Sequence, residues 1–539
     1  MKGRRRDTFL LAGLALLYIG WATLFISKSS YVGIDGHRYF GLFDDAMISM
    51  RYGWNLAHGL GLVWNAGQRV EGYSNLLMTL AMALAALVLD KPLAVLAVQL
   101  MGIPTVLLTA VLAWRLAGEI NVDGGSGAPV AMLVFLCVLL YYPLSYWTLM
   151  GMESGLVTLF LTACIWFGLR WLKSNTWTDL AAMAASSALA FLTRSDSILL
   201  TGIVFAYLAW EVRPQGRDGL RALAIAGVAV VAVIAARTAF AYLYYGSLLP
   251  NTYALKLTGF PLYIRLIGGT RFVLEFLRQS WMVLSLAVLG VALAGRREST
   301  LLAAIVLVAL AYQIYVGGDP WPSWRMLVPA TPAVFILGVD GAMALVRRLK
   351  PLRRYALTLA VPMGLLVCTA LGLADAPFIR ELTLQENTSA AIANRVNTDS
   401  AIAVDALTLP GATIGVIWAG TLPYYVDRGA VDFLGKSDAY ISHLPADITG
   451  SVSWSGMISV PGHNKYDLQH SIVQLRPTYI QAFAWGYETV RPFVIENYDR
   501  VEYHGEDGTK TIFLLKDSPL VCWEACKGAY RINPWPGGQ

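Results

Sequence analysis

TFLLAGLALLYIGWATLFIS, residues 8–27, follows the basic start MKGRRRD and carries no charged residue. A helix needs about 20 apolar residues to cross ~30 Å of hydrocarbon, and within lipid only a helix or a closed barrel satisfies its own backbone. The stretches 219–245 and 326–346 have similar length and character. Composition agrees: 56% of the 539 residues are hydrophobic and 14% charged, with a mean hydropathy of +0.55. Soluble domains usually carry about 25% charge. The sequence therefore reads as a polytopic α-helical membrane protein.

Outward from that first segment, the basic residues orient the chain. They cluster at 3–6, 170–173, 213–221, 296–297 and 347–354, always beside apolar runs. This is the positive-inside pattern, so the net charge of +6 implies no nucleic-acid partner. A secretory signal peptide has the same start, but no small-residue cleavage site precedes the polar loop, and a retained anchor is expected. Candidate spans lie near 8–27, 75–90, 92–115, 128–143, 154–172, 177–193, 196–212, 219–244, 279–295, 299–316, 326–347 and 355–375. The clusters put 28–74, 245–278, 317–325 and everything after 376 outside. That orientation predicts an odd number of spans, about 11 or 13, with one segment between 75 and 150 a half-span or re-entrant piece.

Residues 1–375 form the expected transmembrane module, including an amphipathic outer loop at 28–74. Residues 376–539 lack further span-length runs and read as a small soluble α/β domain, their ~160 residues being enough for a core. Strands are expected at 401–404, 413–418, 478–484 and 511–515, and helices at 381–397 and 466–475. Cys137, Cys164 and Cys368 fall in apolar spans as packed small side chains. Cys522 and Cys526 form either a disulfide or two free thiols on one helix face.

FDDAMISMRYGWNLAHGLG, residues 43–61, has the pattern of an amphipathic helix opened by Asp44 and Asp45 and stopped at Gly59, expected to lie along the membrane surface. Two readings of the acidic pair stand side by side. Acids in a first turn favour the helix dipole. Alternatively one is a catalytic base and the other holds substrate or a metal ion. An acidic pair is compatible with a divalent cation (Mg, Mn or Ca), though two carboxylates alone do not establish one. Trp54, Trp64 and Tyr73 suit an interfacial aromatic belt or stacking on a sugar.

DDAMISMRYGWNLAHGLGLVWNAGQRVEGYSNLLMTL, residues 44–80, resembles the first periplasmic loop of bacterial GT-C glycosyltransferases. The same ordered pattern continues in LMGMESGL (149–156), FLTRSDSILL (191–200), YYGSLLPNTYALK (244–256), GGDPWPSWRMLVPATP (317–332), VDFLGKSDAYI (431–441) and PGHNKYDL (461–468). Within that superfamily the chain is most similar to the arabinofuranosyltransferases of mycobacterial cell walls and of type IV pilins. The resemblance implies a GT-C fold and transfer of a sugar, D-arabinofuranose in the closest group, from a polyprenyl-phosphate donor. The acceptor is a glycan, a lipid or a pilin-like protein, and the family's catalytic aspartate falls on Asp44 or Asp45. It also implies the bacterial inner (plasma) membrane, with the active site and C-terminal domain facing the periplasm.

Such a reaction needs cationic and amide contacts to the leaving phosphate. Lys256 and Asn251 lie on an outer segment, with snorkelling of the lysine as the alternative. Arg325 opens a span and suits a phosphate clamp. Arg194 and Asp196 interrupt an apolar stretch and either pair together or serve substrate. Asp319, Glu71, His58, His463 and Lys465 are further candidates for substrate contacts; loop ordering, a helix end and solvated turns are the alternatives. Glu153 reads as a helix N-terminal acid. No Walker motif, HExxH or GxGxxG appears, which argues against an ATP-driven transporter, a zinc enzyme and a Rossmann nucleotide-sugar enzyme. Rival readings are a flippase for a lipid-linked sugar, mannosyl or glucosyl transfer by the same fold, and a non-catalytic envelope scaffold.

Overall fold

A computed structural model of the chain describes residues 2–120, 127–215, 217–348, 356–453, 459–483, 485–505, 508–525, 530–533 and 535. The chain forms two compact units, one of residues 1–25, 99–238 and 262–386, the other of residues 26–98, 239–261 and 387–539. These units cut across the composition boundary near residue 376, because the first outer loop belongs with the C-terminal part.

Among the described residues, eight helices are long and apolar enough to cross a membrane, and ten spans result if each of two bent pairs counts as one. The eight are Thr8–Ser29, Lys91–Ile120, Ser154–Ser174, Ser195–Val212, Arg217–Tyr245, Arg297–Val316, Val328–Val346 and Val361–Leu382. The bent pairs are Val130–Leu140 with Tyr142–Leu149, at 50°, and Leu262–Gln279 with Trp281–Leu293, at 87°. The run at 75–90 folds as a helix of only 11 residues, Leu76–Ala86, which at 1.5 Å rise per residue reaches about half way across the hydrocarbon, as expected of the half-span between 75 and 150. The run at 177–193 folds as Trp177–Thr193, whose 17 residues stand at the lower limit for a span, and the expected 11 is reached if it crosses as well. Ile225, Val228, Val231 and Leu243 on Arg217–Tyr245 are exposed, as side chains facing lipid would be. The chain is a multi-pass membrane protein.

Inside the first unit, apolar burial against neighbours gains little over lipid, so close backbone approach carries the packing. The helices Trp281–Ala294 and Thr331–Arg348 meet at Gly290 and Gly341. A Cβ on Gly341 would lie 1.9 Å from the Leu286 carbonyl oxygen, and one on Gly290 would lie 2.1 Å from that of Leu337. Gly341→Ala is expected to destabilise the detergent-solubilised protein by about 1–3 kcal/mol, since backbone on both helices must part. A melting curve unchanged from the parent would refute this contact.

The second unit is built on a mixed sheet. Two short strands, β1 (Tyr31–Val32) and β2 (Arg38–Tyr39), pair separately. The main sheet contains β3 (Thr413–Val416), β4 (Gly429–Asp432), β5 (Tyr479–Ile480), β6 (Tyr498–Gly505), β7 (Gly508–Leu515) and β8 (Tyr530–Asn533), in the order β4-β3-β5-β7-β6-β8. β3 runs parallel to β4 and β5, and the remaining pairs are antiparallel. Alternation of side chains gives the sheet two apolar faces. Ile414, Val416, Tyr479, Val501, Ile512 and Leu514 enter one core; Ile480, Tyr498 and Phe513 enter the other.

Several expectations change here. The run at 401–404 is not a strand: it lies in the helix Ser389–Leu407, where Ala401, Ala403, Val404 and Leu407 face the first core. The helix expected at 381–397 is divided between Ile379–Leu382 and Ser389–Leu407, and 466–475 holds a short π-helix, Gln469–Gln474. The helix Asp44–Ala57 does begin at the acidic pair, and protein covers its apolar face. Ala46 to Gly53 are all buried, and Ile48 and Tyr52 join the sheet core with Trp64 and Tyr73. Trp64 and Tyr73 are thus core side chains, each worth about 1.5–3 kcal/mol of burial, and not a belt. Arg51 points inward as well, donating from Nε to the Trp64 carbonyl at 2.6 Å, from Nη2 to that of Arg428 at 2.8 Å, and from Nη1 to that of Pro423. Cys522 is a free thiol, and Cys526 lies outside the described residues.

Candidate active site

Asp44 and Asp45 occupy the first turn of their helix, with Phe43 as a cap that makes no side-chain hydrogen bond. Both are half-buried. Asp44 Oδ1 accepts the Thr421 amide at 3.1 Å, at the start of the helix Thr421–Tyr425. The preceding residue has to be glycine: a Cβ on Gly420 would fall 2.2 Å from the Asp44 carbonyl oxygen and 2.5 Å from Oδ1. Burial pushes the Asp44 carboxyl up to about 7; the Thr421 amide opposes this, Asp45 adds to it, and Lys436 and the Gly420 amide oppose it. Asp45 Oδ1 accepts from Lys436 Nζ at 2.7 Å.

Lys436 is the residue that sequence reading missed. Its signal was present, a lysine inside the quoted VDFLGKSDAYI, but 391 positions separate it from Asp45. The turn that carries it is fixed from within. Asp432, at the end of β4, accepts the amides of Leu434, Gly435 and Ser437 at 3.0, 3.1 and 2.7 Å. Burial raises its carboxyl to about 6 against the pull of those amides.

Asn251 lies beside the same turn and is buried. Its Nδ2 donates to the carbonyls of Gly435, Lys436 and Asp438, and its Oδ1 accepts from Ser442 Oγ at 2.6 Å. Its own amide donates to the Glu71 carbonyl at 2.9 Å, and the Glu71 side chain is buried. Lys256, half-buried on the helix Asn251–Leu257, runs beside Gly462, where a Cβ would stand 3.2 Å from Lys256 Cε. His463, next in chain, sets its ring 5.9 Å from that of Trp485. Lys465 is buried outright, and its Nζ donates to the carbonyls of Ala254 at 3.0 Å and Ser442 at 2.8 Å. His58 caps the C-terminal end of the helix Asp44–Ala57, its ring stacked on Trp54 at 4.1 Å and its Nδ1 2.8 Å from the Trp54 carbonyl. The second unit therefore gathers Asp44, Asp45, Lys436, Asp432 and Asn251, with Lys256 and His463 on the Asn251–Leu257 side. His58 stands apart at the other end of its helix.

The first unit holds the remaining candidates. Arg194 donates to Asp196 at 2.8 Å, the pairing raised as one alternative for that segment, and also to Glu153, the N-cap residue of Ser154–Ser174, at 2.7 Å. Arg325 and Asp319 are buried together at 2.7 Å. Ser323 and Trp324 just before Arg325 take left-handed backbone, φ 63° and 53°. Such conformations cost about 1–3 kcal/mol each and persist only where the surroundings enforce them. Here Trp147 Nε1 donates to the Ser323 carbonyl at 2.8 Å, and Phe272 and Phe276 pack on Trp324. Arg194, Asp196, Gln313 and Arg325 line one pocket. Both guanidiniums are paired with carboxylates, Arg194 with Glu153 and Asp196 and Arg325 with Asp319.

Among the described residues, no group of three or more His, Cys, Asp and Glu side chains is placed to hold a metal ion. At the acidic pair, Lys436 supplies positive charge to Asp45.

No protein-family model matches the chain. It is 26% identical over 366 residues to a terminal beta-(1->2)-arabinofuranosyltransferase of Corynebacterium glutamicum, covering 59% of this chain and 48% of that protein. The chain thus spans about half the length of that curated relative. Among solved structures it resembles ArnT from Cupriavidus metallidurans bound to undecaprenyl phosphate, with TM-score 0.51, 13% identity, and coverage of 95% of this chain and 98% of that one. It also resembles the archaeal oligosaccharyltransferase AglB from Archaeoglobus fulgidus in complex with an inhibitory peptide and a dolichol-phosphate. That match has TM-score 0.51 and 10% identity, covering 96% of this chain and 75% of the other. At these identities the likeness establishes architecture alone, a fold shared with ArnT and AglB.

Proposed function

We propose that this chain is a membrane glycosyltransferase that moves a sugar, D-arabinofuranose, from a polyprenyl-phosphate donor to a cell-envelope glycan, lipid or pilin-like acceptor. The observation that carries the reading is the acidic pair on a GT-C fold, with one carboxyl raised to about 7 and the other facing an ammonium. The arabinose assignment rests on the motif resemblance and on the distant relative of that name. Acting in the bacterial inner membrane, the enzyme presents its acidic pair and C-terminal domain to the periplasm.

The chemistry follows from what each group can do. An alcohol acceptor has to lose its proton as its oxygen attacks the anomeric carbon. Asp44, with a pKa near the working pH, is suited to take it. The bond from the anomeric carbon to the phosphate oxygen breaks, and polyprenyl phosphate departs as a stable anion, so acid assistance is minor and charge stabilisation matters more. Lys256 is assigned to the donor phosphate. Asn251 and Lys465, whose side-chain donors are spent on carbonyls within the unit, are assigned to holding the loops.

The direct test is transfer in detergent from synthetic polyprenyl-phosphoryl-arabinose to a short arabinan, comparing the parent with an Asp44→Asn, Asp45→Asn double variant. Product from the parent alone supports the reading, whereas equal product from both removes the acidic centre. No product from either removes the arabinose claim, and polyprenyl-linked mannose and glucose become the next donors. Because Lys436 balances Asp45, no step is routed through a metal ion. Activity is expected to persist undiminished in EDTA; a loss restored by added Mg2+, Mn2+ or Ca2+ would reverse that assignment.

A further inference from the structure

We propose that Lys436 is a catalytic residue of this transfer, its ammonium held at Asp45 by a side-chain cage so as to receive the charge that develops on the leaving phosphate oxygen. The inference rests on the glycosyltransfer reading above.

The cage is the first argument. Five residues, 434–438, would ordinarily spend their backbone groups on water. Instead the buried Asp432 accepts three of their amides, and the buried Asn251 donates to three of their carbonyls. Asn251 is itself held through its Oδ1 by Ser442. These two side chains come from segments 181 positions apart in numbering, Asn251 and Asp432. Two buried polar side chains spent on one turn fix its geometry, and the outward product of that geometry is the position of Lys436.

The ion pair itself is the second argument. The side chains of Lys436 and Asp45 remain 18% and 23% exposed. A pair at the edge of solvent contributes little to stability, about 0–1 kcal/mol. Such a small return does not account for a turn built this firmly. Charge placement does, because a preorganised cation needs no reorganisation when the bond breaks. Lys465 makes the contrast: its ammonium is buried and occupied by two carbonyls, so it serves structure. Lys436 instead keeps an exposed edge beside Asp45, next in the chain to the carboxylate that takes the proton.

Atoms and charge balance without a further reactant. The acceptor oxygen bonds to the anomeric carbon, and its proton passes to Asp44. The carbon–oxygen bond to phosphate breaks with its electron pair on the phosphate oxygen. Lys436 stays protonated throughout, exchanging part of its pairing with Asp45 for the new anion. Asp432 and Asn251 act through Lys436 and are positioning residues.

The test uses the full chain in detergent, polyprenyl-phosphoryl-arabinose as donor and a short arabinan as acceptor. Lys436→Met is expected to lower kcat about 100-fold to 1,000-fold, the usual loss on removing one transition-state donor. The acceptor KM and the melting temperature are expected to stay close to the parental values. The acid limb of the rate profile is expected to move to higher pH, because the ammonium is one of the groups that holds the Asp44 carboxyl down. Lys436→Arg is expected to restore a large part of the rate. A Lys436→Met variant with parental kcat and an unmoved acid limb overturns the inference. So does a loss of activity that arginine does not restore and that leaves the limb in place, since that marks a merely structural lysine. A parent inactive with polyprenyl-linked arabinose, mannose and glucose alike removes the underlying reading and the inference with it. An active parent confines any failure to Lys436.

Discussion

Asp44→Asn is expected to slow sugar transfer by about 10²–10⁴-fold, the contribution of a positioned general base, while leaving the protein at least as stable as the parent. The two halves of this result have one cause. Burial lifts the Asp44 carboxyl from an ordinary value of 3.8 to about 7. Between those values the folded chain binds a proton that the unfolded chain has released. The stability contributed by this group is therefore full below about pH 3.8 and declines as pH rises, until above 7 the whole cost of a buried carboxylate is present. Asparagine keeps an oxygen for the Thr421 amide and never ionises. At pH 8 the variant should melt a few degrees higher than the parent, about 2–4 °C for each kcal/mol recovered. In the parent, the rate should rise tenfold per unit below pH ~7 and then level, because the base acts in its ionised form. Thermal melts at pH 5 and 8, together with the rate profile, check both halves. An Asp44→Asn variant less stable at pH 8 than the parent would show that the carboxylate stabilises the fold, contrary to this account.

Gly420→Val should produce the second large loss, about 100-fold in kcat, without touching a chemical group. The added Cβ would stand 2.2 Å from the Asp44 carbonyl oxygen and 2.5 Å from its Oδ1, distances at which something must move. The backbone of 420–421 also supplies the amide that Asp44 accepts. Displacing either partner moves the base by a sizeable fraction of an ångström, and misplacement of about 1 Å costs roughly 10²-fold. Gly429→Ala is the matched control, since its Cβ would meet nothing nearer than Thr413 Cγ2 at 3.6 Å. If both glycine variants transferred sugar at the parental rate, Asp44 would not depend on its contact with residue 420.

The sequence by itself determined that this is a helical membrane protein, where most of its spans lie and which motif carries the acids. Length and hydropathy suffice for that, because lipid leaves a continuous apolar segment only the helix. They do not suffice where a run is apolar for another reason. Leu76–Ala86 is apolar yet short, and its length appears only once its ends are seen. The amphipathic pattern of Asp44–Ala57 likewise does not say what covers its apolar face. The structure covers it with a sheet core formed more than 350 residues later, through Ala419 and Leu422 among others.

That packing is what tertiary structure alone decided at the candidate site. Asp44 and Asp45 were legible as an acidic pair, but composition and spacing gave them no way to differ. Burial and the Thr421 amide act on the first, and the Lys436 ammonium pairs with the second. A carboxyl's pKa depends on what surrounds it, and here those surroundings come from residues 420–436. Local sequence fixes a helix and the acids at its start. Only contacts made across several hundred residues fix the dielectric, the hydrogen bonds and the neighbouring charge that let two identical side chains do different work.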